Sequence, residues 1–141
     1  MKESPNALIM TEDFEMRALS LADNYRAALL HEFSPYLRGN VLEVGAGIGQ
    51  ITEGLLQIPD INKLVSIEPH PGFHRELLQK FPGHTIVPGT IDDLKGDDGW
   101  DAVVNFNVLE HIENDEGELK SYRDRLLKNK GTLCLFVPAR P

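Results

Sequence analysis

Apolar positions along the chain repeat with two spacings, one typical of helices and the other of strands buried on both faces. The helical spacing predicts four helices, at Thr11–Phe33, Gln50–Ile58, Pro71–Phe81 and Asp115–Lys128. Five short apolar runs predict strands, at Asn40–Val44, Lys63–Glu68, His84–Val87, Trp100–Asn105 and Thr132–Val137. Strands that alternate with helices form parallel βαβ units, so the pattern predicts an α/β fold with a doubly wound, Rossmann-like sheet.

Composition narrows the class of protein further. The chain has 141 residues, and its 22 acidic against 14 basic side chains give a formal net charge of −8. This length fits one domain, and the excess of acid disfavours binding to nucleic acid or to an anionic membrane surface. No run approaches the roughly 18 apolar residues that a membrane-spanning helix needs. The lone Cys134 and an N-terminus without a signal-peptide pattern favour a cytoplasmic protein.

The turn after the first predicted strand is rich in glycine, in the sequence VLEVGAGIGQ. Gly45, Gly47 and Gly49 allow a sharp turn and a close approach of the backbone to a ligand. The turn precedes a helix, whose first N–H groups are free to bind an anionic group. A dinucleotide fingerprint G-x-G-x-x-G would need its third glycine at position 50, where this chain has Gln50.

The G-x-G-x-G spacing, with Glu43 two residues before it, resembles motif I of the class I S-adenosylmethionine (SAM) dependent methyltransferases. In that family the loop holds the cofactor, so the resemblance implies SAM binding by Glu43, Gly45, Ala46, Gly47 and Gly49. It also implies a sheet in the order 3-2-1-4-5. The cofactor would then lie where that order reverses, between strands one and four.

Two further segments support an adenosine ligand. Glu68 ends the second strand before Pro69, and an acid there can accept hydrogen bonds from both ribose hydroxyls, in NAD enzymes as well as in methyltransferases. The turn after the third strand, GTIDDL, resembles the adenine-binding segment of the family, although Thr90 stands where an aspartate is frequent. The resemblance then assigns adenine contacts to the backbone of Ile91 and the side chain of Asp92.

The end of the fourth strand carries the most specific match, in the sequence NFNVLEHI. Its VLEHI tail resembles the motif-IV region of one large SAM methyltransferase subgroup. By that resemblance Asn105 offers its carbonyl to the methionyl amine of SAM, and Asn107 lies nearby. The turn LLKNKGTL before the last strand is similar to the LLKPGG-x-L turn of the family. The four motifs cover about residues 36–138 in the expected order.

Membership of this family implies transfer of the SAM methyl group to an acceptor by in-line displacement, with S-adenosylhomocysteine (SAH) as product. The VLEHI subgroup suggests a small molecule, a lipid precursor or a sugar as acceptor. His111 is the candidate general base, because imidazole titrates near neutral pH; the alternative is that it caps the turn or packs beside adenine. The other histidines lack partners at ligand spacing, so no metal site is predicted.

Two other functions stay open at this point. The chain could be an inactive SAM-binding fragment or an accessory subunit, because a shared fold does not establish turnover. An NAD-type oxidoreductase is the less favoured alternative, because Gln50 breaks the dinucleotide spacing.

We expect one SAM-binding domain over residues 1–141, with an N-terminal helical lid (1–35) and a cofactor-binding core (36–141). Tyr25 or Phe14 would face the site from the lid. The family sheet continues with an antiparallel hairpin of strands 6 and 7, whereas this sequence stops at Pro141. We therefore expect a C-terminally incomplete domain: either the exposed edge of strand five pairs with a second copy or another subunit, or the sequence is a truncation of a longer protein.

Overall fold

The computed structural model describes residues 22–96 and 99–139. A first helix, α1, includes residues 22–33 and ends where it was predicted to end; its predicted start at Thr11, Phe14 and the last residue, Pro141, lie outside the described part. The remaining helices are α2 (Gln50–Leu55), α3 (Pro71–Lys80) and α4 (Asp115–Ser121). The strands are β1 (Gly39–Val44), β2 (Ile61–Glu68), β3 (Thr85–Pro88), β4 (Trp100–Phe106) and β5 (Leu127–Phe136).

The five strands form one sheet in the order β3-β2-β1-β4-β5, and every pairing is parallel. The fold class and the strand order predicted from the sequence are therefore confirmed. In the sheet, β2 and β3 lie on one side of β1, whereas β4 and β5 lie on the other. The direction in which strands are added therefore reverses beside β1. Ligands of open α/β sheets bind at this position, outside the carboxyl ends of the strands.

The core lies on both faces of the sheet. Along β1, Leu42 and Val44 pack with Trp100 and Tyr122 on one face, whereas Val41 packs with Leu55 on the other. Because neighbouring residues of a strand point to opposite faces, both must be apolar when both faces are covered. This explains why the strand sequences barely alternate between apolar and polar residues.

The last helix is shorter than its sequence predicted. α4 ends at Ser121, a single π-helical turn follows at Tyr122–Leu126, and β5 begins at Leu127 rather than at Thr132. Tyr122 and Leu126, the first and last residues of this turn, are both buried. Gly131 therefore lies within an irregular strand, where a Cβ atom would come within 2.9 Å of the Lys128 carbonyl oxygen.

The outer edge of the sheet is β5, which pairs with β4 on its inner side. Cys134 on this strand is buried, and burial raises the pKa of its thiol to about 11. Among residues 22–96 and 99–139 no helix is long and apolar enough to cross a membrane. Pairing of the β5 edge with a second copy stays a prediction.

Candidate cofactor and acceptor site

A cavity of about 570 Å³ opens at the carboxyl ends of β1 and β4, at the predicted reversal of the strand order. Its lining includes most of the glycine loop and residues of β1, β2, β4, β5 and α1. A smaller cavity of about 220 Å³ lies beside it, against the turn after β3. The two share four lining residues, Val44, Gly45, Pro69 and Val108. Together they form a continuous site that runs across the carboxyl ends of all five strands.

The glycine loop adopts a backbone that side chains other than glycine rarely take. Gly45, Gly47 and Gly49 have φ angles of +73°, +60° and +91°. A Cβ atom on Gly45 would lie 2.4 Å from Cγ2 of Val108, so the loop packs closely on the turn after β4. A Cβ on Gly47 would meet no atom within 4 Å, because this residue lines the larger cavity. The loop therefore presents bare backbone to a ligand.

Glu68 is fixed by two backbone N–H groups at the end of β2. Its Oε1 accepts from Gly47 N at 2.7 Å, and its Oε2 accepts from His70 N at 2.8 Å. The residue is only 6% exposed, yet it lines the larger cavity with Pro69. Each carboxylate oxygen has a second lone pair, so Glu68 can still accept hydrogen bonds from a ligand diol.

Glu43 is a buried carboxylate in the wall of the same cavity. Its Oε1 accepts from Thr52 Oγ1 at 2.6 Å and from Ser66 Oγ at 2.7 Å. Burial raises the pKa of Glu43, and these two hydrogen bonds offset part of the rise. Ser66 Oγ also lies 2.9 Å from Nε2 of His84. Because the Ser66 proton is donated to Glu43, the hydroxyl must accept from an N–H at His84 Nε2.

The turn after β3 lines the smaller cavity with Thr90, Ile91 and Asp92. The Thr90 side chain accepts from Asp92 N at 3.3 Å, while Thr90 N donates to Asp93 Oδ2 at 2.8 Å. The Asp92 carboxylate is largely exposed and pairs with Arg125 at 3.1 Å. An adenine amino group would therefore compete with Arg125 for Asp92, whereas the backbone of Ile91 borders the cavity directly.

The two asparagines at the end of β4 have different surroundings. Asn105 is fully buried; its Nδ2 donates to the Tyr122 hydroxyl at 2.8 Å, and its Oδ1 accepts from Leu109 N at 3.2 Å. The Asn105 side chain thus holds the turn that follows β4. The contact between the Asn105 carbonyl and the methionyl amine of SAM stays a prediction. Asn107 has a φ of +55° and lines the larger cavity.

His111 also lines the larger cavity, with a side chain that is 78% exposed. Its Nε2 lies 3.7 Å from Glu110 Oε1, which is too long for a hydrogen bond. The imidazole is therefore accessible to a bound molecule. Within the described ranges, no group of three or more His, Cys, Asp or Glu side chains could hold a metal ion.

Sequence reasoning missed most of the wall opposite the glycine loop. Besides Tyr25, which was predicted to face the site, this wall contains Arg26 on α1, Phe106 on β4 and Phe136 on β5. Phe106 and Phe136 are the last residues of neighbouring parallel strands, so their position at the cavity could have been predicted from the strand pattern. Arg26 carries no such signal, because the packing angle of α1 decides where it points.

Comparison with known proteins agrees with this geometry. A family model described as "Methyltransferase domain" matches residues 42–133. The "Ubiquinone biosynthesis O-methyltransferase, mitochondrial" of Dictyostelium discoideum is 25% identical over 111 residues, which are 68% of this chain and 34% of that protein. The chain thus spans about a third of the length of that relative.

Solved structures show the same fold. A structure described as "DhpI-SAH complex structure" has a TM-score of 0.68 and 21% identity, and the match covers 86% of this chain and 60% of that one. Streptomyces venezuelae DesVI has a TM-score of 0.66 and 17% identity over 94% of this chain and 57% of that one. The family match covers more than half of the chain and contains the glycine loop, Glu68 and the turn after β4. The chain belongs to the methyltransferase domain family, as its four motifs predicted.

Proposed function

We propose that the protein binds SAM and transfers its methyl group to a small-molecule acceptor. The observation that carries this proposal is the placement of Glu43 and Glu68, two buried carboxylates, around the bare backbone of Gly47 in one cavity. SAM bears a sulfonium and an ammonium cation, which buried carboxylates stabilise. The pyrophosphate of NAD is anionic and would be repelled by Glu43, whereas Glu68 would accept from ribose in either class of cofactor.

The residues fit SAM along the whole site. Glu68 would accept from the ribose hydroxyls, and the cavity beside Ile91 would hold the adenine ring. Gly45, Ala46 and Gly47 would let the methionyl part lie against the main chain, with Glu43 and Asn107 beside its amine. Gly49, predicted as a fourth contact, lines neither cavity, because it packs closely against Phe81. SAM supplies an electrophilic methyl group on a positively charged sulfur.

The remaining residues would position the acceptor and exclude water. The acceptor nucleophile forms the new bond to the methyl carbon while the S–CH3 bond breaks. The electron pair of the broken S–CH3 bond stays on sulfur, which gives SAH. Where the nucleophile is a hydroxyl, His111 Nε2 would take the released proton, because this nitrogen is exposed at the cavity. Similarity to an O-methyltransferase favours an oxygen nucleophile.

Titration calorimetry tests the cofactor assignment. We expect heat from SAM and from SAH, and none from NADH at the same concentration. Binding of NADH alone would contradict the proposal and favour the oxidoreductase alternative. Incubation with radiolabelled SAM and a cell extract then tests turnover, because an accessory subunit or inactive fragment would bind SAM without labelling any small molecule, lipid or sugar.

We also propose that the protein works in the cytoplasm on a free small molecule rather than on nucleic acid, and forms a homodimer through the edge of β5. The net charge of −8 supports an acceptor other than nucleic acid. The unpaired outer side of β5 in the described sheet supports the homodimer. Sedimentation equilibrium of the protein tests the dimer. A monomeric wild type would contradict it.

A further inference from the structure

The larger cavity has two ends of different chemistry. One end contains the glycine loop and the carboxylates of Glu43 and Glu68. The other is formed by α1 and by the last residues of β4 and β5. If the first end holds SAM, as proposed above, the second is the space left for the methyl acceptor.

From this second end we infer that the acceptor is a planar aromatic molecule that carries an acidic group. The inference rests on the proposed function, since it assumes that SAM occupies the first end. The aromatic ring would pack on Tyr25 and Phe136, and the acidic group would lie beside Arg26.

The acceptor end is walled by aromatic rings that already contact one another. The ring of Tyr25 meets that of Phe136 edge-on at 5.7 Å, and Phe136 lies 5.5 Å from Phe106. Phe33 supports Phe106 from behind, again edge-on, at 5.5 Å. Tyr25 is nevertheless 55% exposed, so part of its ring has no protein neighbour. A further aromatic ring fits such a wall, because aromatic pairs prefer edge-to-face and offset arrangements at these distances.

Charge at the acceptor end selects the kind of aromatic molecule. Arg26 lines the cavity with a side chain that is 20% exposed, and it pairs with Asp23 through Nη2. A guanidinium has five N–H donors in a planar fork, so it can hold Asp23 and the carboxylate of a ligand at the same time. An ammonium group carries only donors, so it cannot hydrogen-bond to the guanidinium as a carboxylate can.

Three fragments of similar size separate these possibilities. Benzoate is aromatic and anionic, cyclohexanecarboxylate is anionic without an aromatic ring, and benzylamine is aromatic and cationic. Each is titrated into the SAH-saturated protein while amide chemical shifts are followed by NMR. We expect benzoate to bind at least about tenfold more tightly than the other two, with the largest shifts at Tyr25 and Phe136. Equal binding of the three, a preference for benzylamine, or shifts confined to other surfaces would overturn the inference.

Variants assign the two parts of the recognition. Arg26→Gln should remove the preference of the protein for benzoate over benzylamine. Tyr25→Leu should lower the affinity for benzoate to about the affinity for cyclohexanecarboxylate. Arg123→Gln is the matched control, because Arg123 is an exposed arginine on the π-helical turn and does not line the cavity. Unchanged selectivity in Arg26→Gln would refute the role of the guanidinium.

The same experiment separates this inference from the proposed function. SAH binding is measured first, by calorimetry, in the wild type and in each variant. A protein that does not bind SAH contradicts the proposed function. A protein that binds SAH but shows no preference for benzoate contradicts the acceptor class alone.

Discussion

Replacement of Glu43 by Gln should stabilise the free protein and weaken SAM binding at the same time. The carboxylate is 3% exposed in the cavity wall, and burial raises its pKa. An amide in its place keeps an oxygen that can accept from Thr52 and Ser66, whose hydroxyls lie 2.6 and 2.7 Å from Oε1. The substitution therefore removes a buried charge without removing the acceptor of these two hydrogen bonds.

The size of the stability effect follows from linkage between proton binding and folding. Each unit by which a pKa is raised corresponds to about 1.4 kcal/mol of destabilisation once the pH exceeds that pKa. Each kcal/mol changes the melting temperature by roughly 2–4 °C in a chain of about 150 residues. We therefore expect Glu43→Gln to melt at a higher temperature than the wild type at pH 8, without cofactor.

The pH dependence gives a sharper test than a single temperature. Below the unfolded-state pKa of glutamate, near 4.3, residue 43 is neutral in both states and its charge has no effect. As the pH rises above that value the unfolded chain loses the proton first, so the wild type loses stability relative to the variant. The difference stops growing above the raised pKa of folded Glu43. Thermal denaturation by circular dichroism from pH 4 to 8 should show this growing difference.

Cofactor binding should change in the opposite direction. A hydrogen bond to a charged group contributes about 1.5–3 kcal/mol, so loss of the carboxylate should weaken SAM binding about 10- to 100-fold. Glu53→Gln is the matched control, because this substitution makes the same chemical change at an exposed residue of α2. A Glu43→Gln protein that is less stable than the wild type at every pH, or that binds SAM with wild-type affinity, would refute the reasoning.

Three further predictions test separate parts of the structure. Gly47→Val should abolish SAM binding measured by calorimetry while the protein stays folded. Gly83→Val, at a second positive-φ glycine with open space around it and outside the cavity, should bind normally. Tyr122→Phe should lower the free energy of unfolding in urea by about 1–3 kcal/mol, because Nδ2 of the buried Asn105 loses its acceptor; an unchanged value would contradict that role. Native Cys134 should react with iodoacetamide at pH 8 far more slowly than the urea-unfolded chain, because burial raises its thiol pKa to about 11; equal rates would contradict its burial.

Local features of the sequence predicted most of the cofactor end of the site. Gly45, Gly47 and Glu68 were predicted from the turn and strand end on which they lie, since parallel strands bring their carboxyl ends to one edge of the sheet. Of the two hydrogen bonds that hold the Glu68 carboxylate, the one from His70 N is local, whereas the one from Gly47 N comes from the turn after the neighbouring strand β1.

The sequence alone could not separate Asn105 from Asn107. They are two residues apart on either side of the end of β4, yet one side chain is fully buried against Tyr122 and the other residue lines the cavity. The positive φ of Asn107 turns the chain between them. The same applies to the end of α4, where a π-helical turn and an early start of β5 replace the last part of the predicted helix.

By itself, the sequence determined the α/β fold, the strand order expected from the family resemblance, and the glycine loop with its carboxylates. The fold class and the loop depend on residues close in the chain and on apolar runs that any buried parallel strand requires, whereas the strand order came from the family resemblance. Only the tertiary structure decided what faces the loop: Arg26 from α1, the Phe106–Phe136 wall, and the Glu43–Ser66–His84 hydrogen bonds. Those contacts join residues distant in the chain, and the packing angles that bring them together leave no local pattern in the sequence.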